Sequence, residues 1–324
     1  MLPIILSSAI FLISLALILS DKIHRAIVAL AGAVVMVTAG LLFKFYTEDQ
    51  AIANIDFNTL GLLLGMMILV ALLEPTGFFE FLAVYVARIS GGNPVRLLVL
   101  LGAVTSLTSM FLDNVTTIVL IAPITILICE ILGIGPAPYL IAEALLSNTG
   151  GVATLVGDPP NVLIGSAAGF SFNDFLTHSL PLVVFVWLAA LLLLRYLFRT
   201  ELAVRPPKAR AVLKLNPAEA LNDVKTTRRV LIVLGAAILL FFFHHLLHLS
   251  PAFVALSAAA VALVWVRPDI AKTMRHIEWS VLVFFGALFV MVGGLEAAGV
   301  LDVLVHLLEY TAVIPPVLFG VFII

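Results

Sequence analysis

The sequence predicts an all-α polytopic membrane protein built on an inverted repeat, with a re-entrant hairpin and a broken helix. Three observations carry this: an apolar composition, apolar runs of bilayer length, and two polar breaks inside such runs. Of the 324 residues, 63% are hydrophobic and 11% charged, whereas roughly a quarter of a soluble domain is charged. A net charge of −2 lacks the basic footprint of a nucleic-acid binder, so the expected partner is the lipid bilayer and not nucleic acid. The single cysteine, Cys129, rules out an intramolecular disulfide and a multi-cysteine metal site, and it reads as a small packed hydrophobe. No resident metal or cofactor is expected.

A run of about 20 apolar residues crosses a bilayer. Residues 3–20 supply the first. They lack a basic leader and a small-x-small cleavage site before Asp21, so they read as a retained helix. Spans follow at 26–43 and 58–73, with a less regular apolar segment at 78–89. The run 97–132 is interrupted by Phe111-Leu112-Asp113-Asn114-Val115-Thr116-Thr117. An ionisable side chain at the bilayer centre costs about 2.5–3.5 kcal/mol even on lenient scales. Non-helical backbone at that depth is tolerated only where protein buries it or a watery cavity meets it. The segment therefore reads as a re-entrant hairpin over 97–132 with its tip at Asp113-Asn114. The next run, 138–168, contains a second cluster from Ser147-Asn148-Thr149-Gly150-Gly151 to Gly157-Asp158-Pro159-Pro160-Asn161. It reads as a helix broken between Asn148 and Asn161. Pro159-Pro160 cannot sit inside a regular helix, and Gly150-Gly151 let backbone approach a ligand closely. Spans at 178–198, 230–247, 251–266 and 279–295 complete the series.

The polar stretch from Arg199 to Arg229 carries eight Lys/Arg against three acids, which makes it cytoplasmic by the positive-inside rule. Working outward, the 44–57 loop falls outside and the turn with Arg267, Lys272 and Arg275 falls inside. The sequence thus divides into a first transmembrane repeat over 1–198, a cytoplasmic loop over 199–229 and a second repeat over 230–324. The repeat is visible directly: 55–80 aligns without a gap on 277–302, with Glu74, Gly77 and Glu80 matched by Glu296, Gly299 and Asp302. Val28-Ala29 likewise matches Val254-Ala255. The orientation argument makes the two copies inverted, as in many secondary transporters, whose sites lie between repeats. Counterparts of the polar motifs would fall beyond Ile324, so the second repeat is expected to be incomplete, with the sequence truncated at its C-terminal end.

The polar breaks supply the candidate site. Asp113 can bind Na⁺ or carry a proton, and Asn114, Thr116 and Thr117 offer oxygens and donors without charge. A break also frees carbonyls at a helix C-terminus for a cation and amides at a helix N-terminus for an anion. This brings in Asn148, Thr149, Gly150, Gly151 and Asn161, with Asp158 as a second ion carrier or the N-cap of the following helix. Glu143 is the candidate proton relay. Glu74 and Glu296 lie near an interface, Glu130 near the hairpin base, and His244, His245 and His248 at an outer helix end. Gly61-x-x-x-Gly65 is a helix-packing pattern. Nothing matches an ATP-binding P-loop, a nucleophile elbow or a zinc-protease motif, so the sequence reads as a non-enzyme.

At Ile55–Ile68, Phe111–Thr117, Ala142-Glu143 and Ser147–Asn161 the sequence resembles the ion transporter superfamily. The likeness is to its group of arsenical-pump membrane proteins and NhaD-type Na⁺/H⁺ antiporters, which share a citrate-transporter-like domain, and within it to the pink-eyed-dilution branch. The resemblance runs from about residue 20 to 324. It implies a multi-pass secondary transporter of the cell membrane with a small ion as substrate, H⁺ or Na⁺ as coupling ion, hairpin tips at the substrate site, elevator-like movement and a homodimer. Arsenite or antimonite efflux is the first expectation, with Na⁺/H⁺ exchange or organic-anion transport as alternatives. Related dicarboxylate symporters carry Ser-Asn-Thr where this sequence has Asp113-Asn114-Val115, which weighs against a citrate-like substrate. A protein that transports nothing, for want of a second half-site, is the reading from another class.

Overall fold

The computed structural model describes residues 1–204 and 206–303. Within them the protein forms fifteen α-helices and no strand. They are α1 (Leu2–Leu19), α2 (Arg25–Phe43), α3 (Glu48–Ala53), α4 (Phe57–Leu73), α5 (Phe78–Ser90), α6 (Pro94–Ser109), α7 (Asn114–Leu132) and α8 (Ala137–Gly151). Then follow α9 (Pro159–Ala168), α10 (Phe172–Leu197), α11 (Arg199–Ala203), α12 (Val224–Phe243), α13 (Pro251–Val266), α14 (Ile270–Arg275) and α15 (Trp279–Ala297). Among the described residues, seven helical segments are long and apolar enough to cross a membrane, including α7 and α10. Their outer faces carry exposed apolar residues such as Ile13, Phe185 and Leu192, the kind of surface a bilayer covers. This is an all-α, multi-pass membrane protein. The apolar run after residue 303, on which the expectation of an incomplete second repeat rests, lies outside the described residues.

The helices form two compact units. In the first, α2 packs on α15 through Ala29, Ala33, Ala287 and Met291. Beside them Met36, Tyr46, Ala51 and Leu295 form a second cluster.

The second unit runs from Gly61 to Ile277. Its core joins Ala83 and Ala87 of α5, Leu97 and Leu101 of α6, Ile128 and Cys129 of α7, and Ala142 and Leu146 of α8. Leu202 and Val212 belong to that core, so the stretch 199–229 is no free loop. Its short 3₁₀ turn Ala209–Lys214 packs on α7 and α5 and the turn Pro217–Ala220 on α5, and Asn222 N–H donates to the Thr76 carbonyl at 2.9 Å.

The repeat is legible in the helices themselves. α3 and α14 start at 48 and 270, and α4 and α15 at 57 and 279, an offset of 222 in both cases. Gly77 and Gly299 both adopt positive φ, 78° and 81°. The pairing recurs too. In the second unit Gly65 of α4 lies against Ala255 of α13, where an added methyl would come within 2.8 Å of the Ala255 Cβ. In the first unit the equivalent Ala287 packs in the Ala29 cluster. Small residues let the two backbones approach, which is the packing role expected for Gly61 and Gly65.

The span expected at 230–247 stops at Phe243, because the backbone turns there to meet α10. His244 is buried; its Nε2 accepts from Phe172 N–H at 3.2 Å and its Nδ1 meets the Leu249 carbonyl at 3.0 Å, so Nδ1 carries the proton. His244→Ala leaves a buried donor and acceptor unpaired, a loss of about 1–3 kcal/mol. A lower melting midpoint in detergent, with helical content retained at low temperature, is the expected result.

Candidate functional site

Two helix–break–helix segments meet in the second unit. Asn93 caps α6, its side-chain oxygen accepting from Arg96 N–H at 3.0 Å, with Pro94 at the first helical position. α6 ends at Ser109, the backbone turns through residues 110–112, and Asp113 opens α7. Its carboxylate accepts from Val115 N–H at 3.0 Å, Thr116 N–H at 2.9 Å and the Thr116 hydroxyl at 2.5 Å. The turn-stabilising role open to any Asp in this position is therefore filled, and Asp113 remains half-exposed at the tip.

α8 runs alongside α6, bound by hydroxyls that donate to its last-turn carbonyls: Ser106 to Leu146 O at 2.7 Å and Ser109 to Ser147 O at 2.8 Å. The Trp187 indole of α10 donates to Ser106 Oγ at 2.9 Å. The sequence places the break between Asn148 and Asn161, and the irregular segment 152–158 lies within that interval; the helix continues through Asn148, Thr149, Gly150 and Gly151 before it. The glycines explain the continuation. A methyl on Gly150 would sit 2.4 Å from Ser106 O, so this glycine serves helix packing. A methyl on Gly151 would sit 2.4 Å from the Asp158 carboxylate, so this one makes room for a site residue. Thr149 turns back on its own helix, donating to Leu145 O at 2.9 Å.

Within the break, Thr154 Oγ1 donates to the Met110 carbonyl at the end of α6. Asn161 is buried and its amide donates to Gly151 O at 2.8 Å and Thr154 O at 2.9 Å. Asn161 is thus the clasp that closes the break, a role its position after Pro159-Pro160 does not reveal. Asn161→Leu strands two carbonyls at a cost of about 1–3 kcal/mol each; a lower melting midpoint and weaker ligand binding are expected together.

Four side chains converge where the segments meet. Asn114 Nδ2 donates to Asn148 Oδ1. The Asn114 backbone N–H donates to the Asp158 carboxylate, and Asp113 is close enough for the two acids to interact electrostatically. Asp158 is the N-cap of α9 by position but makes no side-chain capping bond; its carboxylate faces the other segment instead. Thr116 serves Asp113. Thr117, in the first turn of α7, is buried, with no partner for its hydroxyl among the described residues.

The donor inventory decides what the site can hold. No Lys, Arg or His occurs between Arg96 and His178. The first amides of α7 are taken by Asp113. At α9, Pro159 and Pro160 have no N–H, and Asn161 N–H donates to Asp158 O at 3.0 Å. The helix N-termini that the sequence offers to an anion are therefore spent on the protein's own groups. What remains is two carboxylates and amide oxygens, a set suited to a cation or protons. No cluster of three or more His, Cys, Asp or Glu fit for a metal occurs among the described residues.

The profile of the citrate transporter family (CitMHS) matches residues 15–324. A 46 kDa membrane protein of Mycobacterium leprae is 42% identical over 301 residues, 92% of this chain and 70% of that protein. An uncharacterized transporter of Mycobacterium tuberculosis is 42% identical over 301 residues, 92% of this chain and 69% of its own length. The human P protein is 40% identical over 189 residues, 56% of this chain and 23% of the P protein.

Proposed function

This chain belongs to the citrate transporter (CitMHS) family, and from that membership we propose that it is a secondary active ion transporter of the cell membrane. Its coupling cation, H⁺ or Na⁺, binds between Asp113 and Asp158. The observation that carries the reading is the meeting of two carboxylates from two separate breaks, with no basic side chain in either segment. Two like charges within electrostatic reach of each other disfavour each other's charged form, so a proton or a metal cation between them would balance the site. Asn114 and Asn148, bonded to each other, hold the two segments in register. On this reading the oxygens of Asn114, Asn148 and the α8 terminus, including Thr149, contact the transported species.

Among substrates, the donor set favours cation exchange over free-anion efflux. A citrate carboxylate entering here meets Asp113 and Asp158 and needs a bound cation or protonated acids to be accepted. Arsenite and antimonite remain candidates through the resemblance alone. The test is flux in proteoliposomes under an imposed pH or Na⁺ gradient, with Na⁺, citrate and arsenite offered in turn. Gradient-dependent movement of one species is expected. Folded, inserted protein that moves none of them under either gradient overturns the reading.

A further inference from the structure

Eight residues before Gly151, on the same face of α8, lies a carboxyl that the two-acid site does not use. Glu143 has no exposed surface. The Thr125 hydroxyl of α7 donates to its Oε1 at 2.5 Å, and its Oε2 has no hydrogen-bond partner among the described residues. Its surroundings are the apolar core of Ile128, Ala142 and Leu146.

No charged group faces it from any packed element. α7 offers Cys129, which is buried and lies within electrostatic reach; Glu130 is exposed. α6 carries only Arg96, exposed in its first turn, and α10 only Asp174, His178, Arg195 and Tyr196, all exposed. On α8 itself the one other titratable group is Tyr139. A carboxylate here would be an unpaired buried charge, which proteins avoid by neutralising the group. The species that suits this pocket is the carboxylic acid.

The unpartnered atom has company. Four buried side-chain polar atoms lack a partner among the described residues, and three of them lie on α6, α7 and α8: Thr105 Oγ1, Thr117 Oγ1 and Glu143 Oε2. Thr125, Ile121 and Thr117 follow at four-residue spacing along one buried face of α7. Glu143, Ser147 and Gly151 do the same on α8. At 1.5 Å per residue the row spans about 12 Å, and it ends at the glycine against which Asp158 rests.

We propose that Glu143 is a proton-binding site of the transport cycle, separate from the Asp113–Asp158 pair. This rests on the transporter reading above. In the described conformation Glu143 is the neutral acid. When α7 and α8 part enough to admit water, it releases one proton and becomes the carboxylate, and it rebinds one before the helices close again.

The test pairs two readouts on wild type and Glu143→Gln, a change that keeps the acceptor for Thr125. The first is pH-difference infrared spectroscopy of the purified protein in lipid, which reads the carbonyl of a buried acid whether or not any substrate moves. The expected result is a titrating carbonyl band that the variant lacks. The second is the number of protons moved per substrate in proteoliposomes, expected to fall by one in the variant with substrate binding within about twofold of wild type. An absent band, or a band with unchanged proton count and pH profile, overturns the proposal. A titrating band in wild type that moves no substrate refutes the transporter reading and leaves the protonation of Glu143 standing. Glu143→Asp, shorter but still an acid, is expected to restore the proton count in part; restoration by Gln instead would also overturn the proposal.

Discussion

Asp113→Asn and Asp158→Asn are each expected to abolish gradient-driven transport while leaving insertion and helical content intact. Each substitution keeps the shape and removes one of two negative charges at the meeting point of the breaks. A unit charge a few ångströms from a cation is worth about 4 kcal/mol at the effective dielectric of a protein surface. Even half of that weakens cation binding about 30-fold. In Asp113→Asn the remaining side-chain oxygen can still accept the amides of Val115 and Thr116, so the tip persists and the loss falls on the cation. The measurement is initial flux at matched protein density, with detergent chromatography as the control for folding. Wild-type coupling in either variant removes that residue from the cation site.

The second large effect separates two adjacent glycines. Gly150→Ala drives a methyl to 2.4 Å from the Ser106 carbonyl oxygen and 2.6 Å from its Cα. Backbone cannot yield there without prising α6 from α8, which also strains the Ser106 and Ser109 bonds. Overpacking of this kind costs about 1–3 kcal/mol or more, and poor folded yield is expected. Gly151→Ala meets a side chain instead, the Asp158 carboxylate at 2.4 Å, which can swing aside. That variant is expected to fold and to lose cation affinity by about tenfold or more, as Asp158 leaves its place. Equal behaviour of the two variants, in yield and in binding, contradicts the division of roles.

Much of this architecture is written in local sequence. The spans at 3–20 and 26–43 follow from apolar run length alone, and the structure reproduces them within a residue; the run at 251–266 forms a helix with those bounds that is shorter than the helices long enough to cross a membrane. The tip at Asp113-Asn114 is legible because an acid in an apolar run demands a break. The end of α8 is not. Asn148-Thr149-Gly150-Gly151 has the composition of a loop, and what keeps it helical is contact with Ser106 and Ser109, forty residues away in sequence. The clasp made by Asn161 and the spending of both helix N-termini are likewise tertiary facts. They depend on which carbonyls and amides the fold brings together. In 199–229, Leu202 and Val212 sit in apolar runs of only three residues, Leu202-Ala203-Val204 and Ala211-Val212-Leu213, too short to mark a core, and only the assembled unit buries them.

The central claim is that Asp113 and Asp158 together hold a cation. Calorimetric titration of the purified protein with Na⁺ and with acid, free of any substrate, tests it most directly in wild type and in the double variant Asp113→Asn, Asp158→Asn. The expected result is saturable Na⁺ binding, or proton uptake whose heat scales with the ionisation heat of the buffer, in wild type and its loss in the double variant. Identical isotherms for both ions in the two proteins would contradict it.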